Sequence, residues 1–360
     1  MKLVLNVIVL LVLLTPLQAQ KTIKKLDGTP LKTQKLDQRI EFLMDSIAVP
    51  GLSLAIINDQ EIVYHQVFGV QNAETKEAIN KNSIFEGASL SKPIFAYFAM
   101  KMVDQGILDL DKPLHDYFPH PGIDSACQEA YKKITARMVL SHSSGFPNFS
   151  KGQLISLPFE PGTGFRYSGE AYQYLTAIIG SLNGVGWKDK FNEIFKREVT
   201  QPLGMKNTSF LWNDYLAAHK VYGHKDGKPT DNSTGGWSGK TFNSFTSIHS
   251  EASEYALFIR ALLKKEGLSK ASYEQMLAPE NQFKKDNKLY QETGQNAWGL
   301  GFAQKPTEHG TMHLHTGNNH DFQAYSMFVM EQGYGIVLFT NSEQLLPLIQ
   351  GLETVLGPQF

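Results

Sequence analysis

Cysteine is almost missing from this sequence. The single Cys127 rules out an internal disulfide and any thiolate metal cluster. Its neighbours Asp124, Ser125, Gln128 and Glu129 would not lower a thiol pKa, so it reads as a bystander. An excess of one charge is missing too. The formal net charge is −1, with Lys and Arg scattered along the chain, which leaves no field for nucleic acid or an anionic membrane. No apolar run reaches the ~20 residues that span a bilayer. Several motifs are absent. Gly87-Ala88-Ser89-Leu90 is followed by Ser91, so no G-x-S-x-G is complete. There is no G-x-x-x-x-G-K-[ST], and the G-x-G pairs at Gly184, Gly299 and Gly333 lack the third glycine. These absences remove the elbow-type hydrolase and nucleotide-loop readings.

What remains has the make-up of an ordinary globule: 42% hydrophobic and 19% charged residues over 360 positions, enough to bury a full core. Residues 1–20 read as an export signal. Lys2 precedes an almost wholly apolar stretch from Leu3 to Leu14, and Leu17-Gln18-Ala19 resembles a small-residue cleavage site. A dozen apolar residues is short for a retained anchor, so the expected product is exported, periplasmic or secreted, without a stable membrane anchor.

Residues 21–35 are polar, carry Gly28 and Pro30, and read as a lead-in; a single catalytic domain is expected over 36–360. Leu36, Ile40, Leu43 and Ile47 mark one face of a helix. Leu52 to Ile57 and Glu61 to Phe68 read as a hairpin around Asn58-Asp59-Gln60. From about 85 to 265 the chain is helical and loop-rich, with a helix from Tyr172 to Leu182, a long loop from Asp226 to Lys240, and a helix from Ser250 to Leu263. Strand patterns return at His313-Leu314-His315, Gln323 to Met330 and Gly335 to Thr340, before a last helix over Leu345 to Leu356. The order predicts an α/β (α+β) fold: an antiparallel sheet built from both chain ends, flanked by helices, with an inserted helical lobe.

The chemistry centres on Phe85-Glu86-Gly87-Ala88-Ser89-Leu90-Ser91-Lys92-Pro93. Pro93 belongs in a first helical turn. Ile94, Phe95, Phe98, Ala99, Met102 and Val103 follow at helical spacing up to Gly106. Ser89 and Lys92, three apart, are expected to share a helix face and meet. A serine hydroxyl needs a proton acceptor, and an amine buried at a helix N-terminus loses affinity for its proton. Alone, S-x-x-K is a common pattern. Tyr167-Ser168-Gly169 supplies a phenol able to relay protons. His315-Thr316-Gly317 supplies a strand that a substrate backbone can approach. The Asn318 and Ser89 N–H groups are candidates for an oxyanion hole. A rival is a metal hydrolase. His313 and His315 share a strand face, with His309 and His320 nearby, but no H-E-x-x-H accompanies them.

Taken together and in order, Ser89-x-x-Lys92, Tyr167-Ser168-Gly169 and His315-Thr316-Gly317 resemble the serine beta-lactamase-like family of class C beta-lactamases, DD-peptidases, esterases and D-amino-acid amidases. Supporting stretches are Val49 to Ser53, Leu140 to Gly145, Pro202 to Met205 and Trp298 to Gly301. The resemblance implies an acyl-enzyme at Ser89, with Lys92 and Tyr167 sharing base and acid work and His315, Thr316, Gly317 and Asn318 binding substrate. It implies no metal and no organic cofactor, and a small-molecule or peptide substrate: an ester or amide, such as a D-amino-acid peptide. A penicillin-binding protein or beta-lactamase on the same fold is the alternative. Two departures stand out. Gly169 replaces an asparagine that contacts the acylamide group in relatives, and His315 replaces a carboxylate-binding lysine. Both argue against efficient beta-lactam hydrolysis, and acid pH is expected to protonate His315 into a lysine-like cation.

Overall fold

The computed structural model of the protein describes residues 21–230 and 239–357; the predicted export signal lies outside the described residues. Among the described residues, no helix is long and apolar enough to cross a membrane.

The predicted lead-in is part of the fold. β1 (Thr22–Lys24) and β2 (Pro30–Lys32) pair antiparallel, and each buries one apolar residue, Ile23 and Leu31. The Lys24 N–H donates to Asn58 Oδ1 at 2.8 Å, and Asn58 Nδ2 donates back to the Lys24 carbonyl at 2.9 Å. One buried residue per short strand is too weak a periodicity to show through polar composition. Helix α1 (Thr33–Ser46) buries Leu36, Ile40 and Leu43 as expected, with Met44 in place of Ile47, which lies at the C-cap.

β3 (Gly51–Asn58) and β4 (Glu61–Gly69) form the expected hairpin, turning through Asp59 and Gln60 at positive φ. β5 (Phe85–Ala88) leads into α2 (Ser91–Asp104), followed in the lobe by α3 (Ala136–Leu140) and α4 (Gly169–Leu182). The predicted long loop begins with a short hairpin pairing His224 with Pro229. β6 (Ile248–Ser250) returns to pair with β5, and α5 (Ala252–Lys264) follows. Next come β7 (Asn281–Gln282), α6 (Lys288–Thr293), β8 (Ala297–Trp298), β9 (Ala303–Thr307), β10 (Gly310–Asn318), β11 (Gln323–Val329), β12 (Tyr334–Thr340) and α7 (Leu345–Leu356).

The main sheet has eight antiparallel strands in the order β4-β3-β12-β11-β10-β9-β8-β7, so both chain ends meet where β3, next to the edge strand β4, pairs with β12. The central strands carry no polar alternation because both faces are covered. On β12, Ile336 and Leu338 enter the core beneath α1 and α7, while Val337 and Phe339 enter the core on the opposite face. Both ends of the predicted 85–265 lobe touch the sheet. β5 rests on the sheet, and α5 packs against β12, β3 and β4. Its inward residues meet sheet side chains, with the Tyr255 ring 6.0 Å from Phe339. Helical periodicity marks which face of α5 is buried, but not what buries it. The cleft between lobe and sheet is where β5 turns into α2.

Candidate active site

Ser89 does not sit on the helix. It occupies the turn between β5 and α2, one residue before the cap Leu90. Ala88, immediately before it, has φ +46°, a left-handed conformation costly for any residue with a Cβ. That bend lifts Ser89 clear of the strand. Ser91 locks it: its hydroxyl donates to Ala88 O at 2.7 Å and accepts the Ile248 N–H at 3.0 Å. Gly317 on β10 lies against the same turn. A Cβ there would stand 2.2 Å from Gly87 O, so glycine permits the end of β10 to close on β5.

Lys92, in the first turn of α2, is 1% exposed. Its Nζ lies 3.2 Å from Ser89 Oγ and donates to Phe245 O at 2.9 Å. The rings of Tyr167, Phe245 and Tyr172 surround it at 4.5, 5.4 and 5.9 Å, and no described ion pair includes it. Ring faces favour a cation weakly, whereas full burial opposes one strongly. Burial prevails and holds the Lys92 pKa well below its ordinary value. A neutral amine can hold the Phe245 carbonyl with an N–H and offer its lone pair to the serine proton.

Tyr167 stands beside Ser89, and burial raises its pKa, keeping the phenol protonated. Its hydroxyl also stands 3.5 Å from His315 Nε2. His315 Nδ1 lies 2.8 Å from Thr316 O, which can only accept, so Nδ1 carries the proton and Nε2 presents a lone pair to the tyrosine. Burial, reinforced by Lys92, lowers the His315 pKa to about 3. The expectation that mild acid makes His315 lysine-like is therefore corrected: the ring stays neutral across the usual assay range.

Ser89, Lys92, Tyr167, His315, Thr316 and Asn318 line one cavity of about 1140 Å³, with Gly317 forming its contact with β5. His313, the other half of the predicted metal pair, is buried and stacked on Phe328 at 5.0 Å. Among the described residues, no group of three or more His, Cys, Asp or Glu could hold a metal ion. Gly169 is the first residue of α4, capped by Ser168, and an added Cβ would lie 2.6 Å from Phe245 and 2.8 Å from Asn148 O. An asparagine side chain has no room there.

Several residues escaped sequence reasoning. His142 is fully buried beneath Tyr167, with ring centroids 4.4 Å apart, and its Nδ1 accepts the Ser168 N–H at 3.1 Å, so it holds the tyrosine loop from below. The stretch Leu140 to Gly145 marked this region without singling out the imidazole. Glu86, on β5, is buried against Lys220 at 3.2 Å and accepts a 2.6 Å bond from Asn319 Nδ2. Asn319 Oδ1 in turn accepts the Thr246 hydroxyl at 2.6 Å. This network ties β5 to the loop after β10. Lys220 also feels Asp321, so removing Glu86 takes away one of its acidic neighbours, and Glu86→Ala is expected to cost about 1–3 kcal/mol of stability. Urea unfolding measures it, and a loss below about 1 kcal/mol would show that the pair is effectively solvated.

A family model described as Beta-lactamase matches residues 36–351. "Protein flp" of Staphylococcus aureus (strain NCTC 8325 / PS 47) is 23% identical over 341 residues, covering 89% of this chain; the chain spans 66% of that relative's length. Among solved structures, the octameric penicillin-binding protein homologue from Pyrococcus abyssi superposes with a TM-score of 0.74 at 22% identity, covering 91% of this chain and 78% of the other. The D-alanine carboxypeptidase from Burkholderia cenocepacia gives 0.72 at 19%, covering 90% and 100%.

Proposed function

The chain belongs to the beta-lactamase family, and from that premise we propose that it is a serine hydrolase forming an acyl-enzyme at Ser89 on an ester or amide substrate. The observation that carries the reading is the buried Lys92 amine, 3.2 Å from the Ser89 hydroxyl and without an ion-pair partner among the described residues. Lys92 takes the serine proton as Ser89 Oγ attacks the carbonyl carbon. The Ser89 and Asn318 N–H groups receive the oxyanion. Tyr167, protonated and beside Ser89, passes a proton to the departing oxygen or nitrogen; Lys92 replenishes it. Water then attacks the acyl group with the same residues in reverse roles. No step requires a metal or an organic cofactor. Export to a periplasmic or extracellular compartment remains part of the proposal. A panel of p-nitrophenyl esters, D-alanyl peptides and a chromogenic cephalosporin, run on wild type and Ser89→Ala, tests it. Turnover that survives in Ser89→Ala overturns it.

A second reading, a penicillin-binding protein or beta-lactamase, is suggested by the penicillin-binding homologue among the fold neighbours. The neutral His315 argues against efficient cephalosporin turnover. Hydrogen bonds to charged groups contribute about 1.5–3 kcal/mol, so lacking a fixed cation for the substrate carboxylate lowers the rate on the order of tenfold. His315→Lys is expected to raise kcat/KM for a cephalosporin relative to an ester by about that factor. In wild type the same ratio should stay flat between pH 5 and 8, because His315 titrates only near 3. A ratio that climbs as pH falls through 6 would show that His315 is protonated there.

A further inference from the structure

Within the hydrolase reading above, on which it rests, we infer that His142 is a positioning residue of the reaction: it brackets Tyr167 from both sides along the chain and backs the phenol ring, fixing the hydroxyl that delivers a proton to the leaving group.

His142 sits where α3 ends. The Ser143 N–H donates to Met138 O at 2.8 Å and the His142 N–H to Val139 O at 3.1 Å, the paired bonds of a Schellman turn. That turn needs a left-handed residue after the cap Ser141, and glycine is its usual occupant. His142 takes the place at φ +57°. Glycine would make the same turn without a Cβ, so ending the helix does not account for the imidazole. The tyrosine loop does. The Arg166 N–H donates to His142 O at 2.8 Å, and the Ser168 N–H donates to His142 Nδ1 at 3.1 Å. Tyr167 lies between those two bonds, and its ring covers the imidazole with centroids 4.4 Å apart at 38°. The rings of Trp298, Tyr172 and Phe165 enclose His142 at 5.0, 5.3 and 5.9 Å. It is fully buried and touches no substrate.

One tautomer alone fits this arrangement. Nδ1 accepts the Ser168 N–H, so in the neutral ring Nε2 carries the proton. Among the described residues, Nε2 is buried with no hydrogen-bond partner. Burial, reinforced by Lys92 and His315, keeps the ring neutral, and Nδ1 stays an acceptor. A left-handed backbone under a side chain and a buried N–H without an acceptor both oppose folding. Such costs are tolerated where they hold a reacting group in place. The Tyr167 hydroxyl needs that support. Residues 165–168 belong to no helix or strand. At the hydroxyl end, the His315 Nε2 contact is 3.5 Å long, at the weak limit of a hydrogen bond. The phenol is therefore aimed from its base, by His142.

The experiment keeps the acyl group constant and varies the leaving group. kcat/KM is measured for phenyl acetate and p-nitrophenyl acetate in wild type, Ser89→Ala, Tyr167→Phe, His142→Ala, His142→Asn, and His142→Ala combined with Tyr167→Phe. p-Nitrophenolate departs as a stable anion, whereas phenolate departs faster when it is protonated. The phenyl-to-nitrophenyl ratio therefore reads proton delivery by Tyr167, and a general loss of folded enzyme does not move it. His142→Ala removes both ring and acceptor and should lower the ratio by about tenfold to 100-fold, as a donor misplaced by about 1 Å does. His142→Asn keeps an acceptor in place of Nδ1 and tolerates the left-handed backbone, so it should lower the ratio by a smaller factor. With Tyr167→Phe already present, adding His142→Ala should leave the ratio within about twofold. A ratio unchanged in both His142 variants overturns the positioning role and leaves the hydrolase standing. So does a ratio that His142→Ala lowers equally with and without the Tyr167 hydroxyl, or one that Tyr167→Phe itself leaves at the wild-type value. Turnover of neither ester, or turnover that persists in Ser89→Ala, overturns the hydrolase reading and this proposal with it.

Discussion

Ser89→Ala is expected to lower kcat/KM on any substrate the protein turns over by on the order of 10⁴–10⁶-fold, as removal of a serine nucleophile does where acyl transfer depends on it. The fold should not suffer. The locking bonds of the turn run through Ser91, Ala88 and Ile248 rather than through the Ser89 side chain. Replacing its hydroxyl by hydrogen leaves no cavity of consequence. Unfolding free energy should therefore stay within about 0.5 kcal/mol of wild type. Measuring both quantities separates a lost nucleophile from a damaged structure. Activity within tenfold of wild type would remove Ser89 from the chemistry.

Lys92→Met should come second, with a loss of about 10²–10⁴-fold, the contribution of a positioned general base. Methionine fills the space of the lysine stem without a proton acceptor. Lys92→Arg should not rescue, because a guanidinium stays charged. The pH dependence carries a separate signature. Since the base must be unprotonated, kcat/KM in wild type should fall on the acid side as Lys92 gains its proton, at a pH well below 10.5. Stability should respond in a definite direction as well. The unfolded chain binds a proton at Lys92 below about 10.5, while the folded chain does so only at much lower pH. In that window the unfolded state holds more protons, so stability falls as pH falls. The unfolding free energy of wild type relative to Lys92→Met should drop accordingly between pH 10 and 7. An acid limb unchanged in Lys92→Met, measured on its residual activity, would assign the limb to another group.

The parts of this site that sequence revealed are those carried by local spacing. Ser89 and Lys92 are three residues apart across a strand-to-helix turn, and Tyr167 and His315 stand in short motifs whose order along the chain is informative. The strands of β10 to β12 were visible as apolar runs, and α7 matched its expected limits. What stayed hidden depends on partners distant in sequence. The Phe245 carbonyl that holds Lys92 comes from 153 residues away in a loop without periodicity. The left-handed backbone at Ala88 follows from the turn that Ser91 closes, and alanine gives no hint of it. Gly169 read as a lost amide, because sequence cannot show a phenylalanine ring already occupying the place. The hairpin at 22–32 and the docking of α5 were obscured in the same way: each is decided by the surface it meets. His315 was legible as a residue, but its protonation was not, since burial sets it.

The most direct test of the account is the site of covalent labelling. The protein is incubated with a fluorophosphonate or a slowly hydrolysed beta-lactam, digested with trypsin, and fragmented in a mass spectrometer. Lys92 precedes Pro93, so the relevant peptide runs from Asn82 to Lys101 and contains Ser83, Ser89 and Ser91. The account predicts one added mass, carried by Ser89, abolished in Ser89→Ala and strongly slowed in Lys92→Met. A label on Ser83, Ser91 or Ser143, or undiminished labelling of Ser89→Ala, would contradict it.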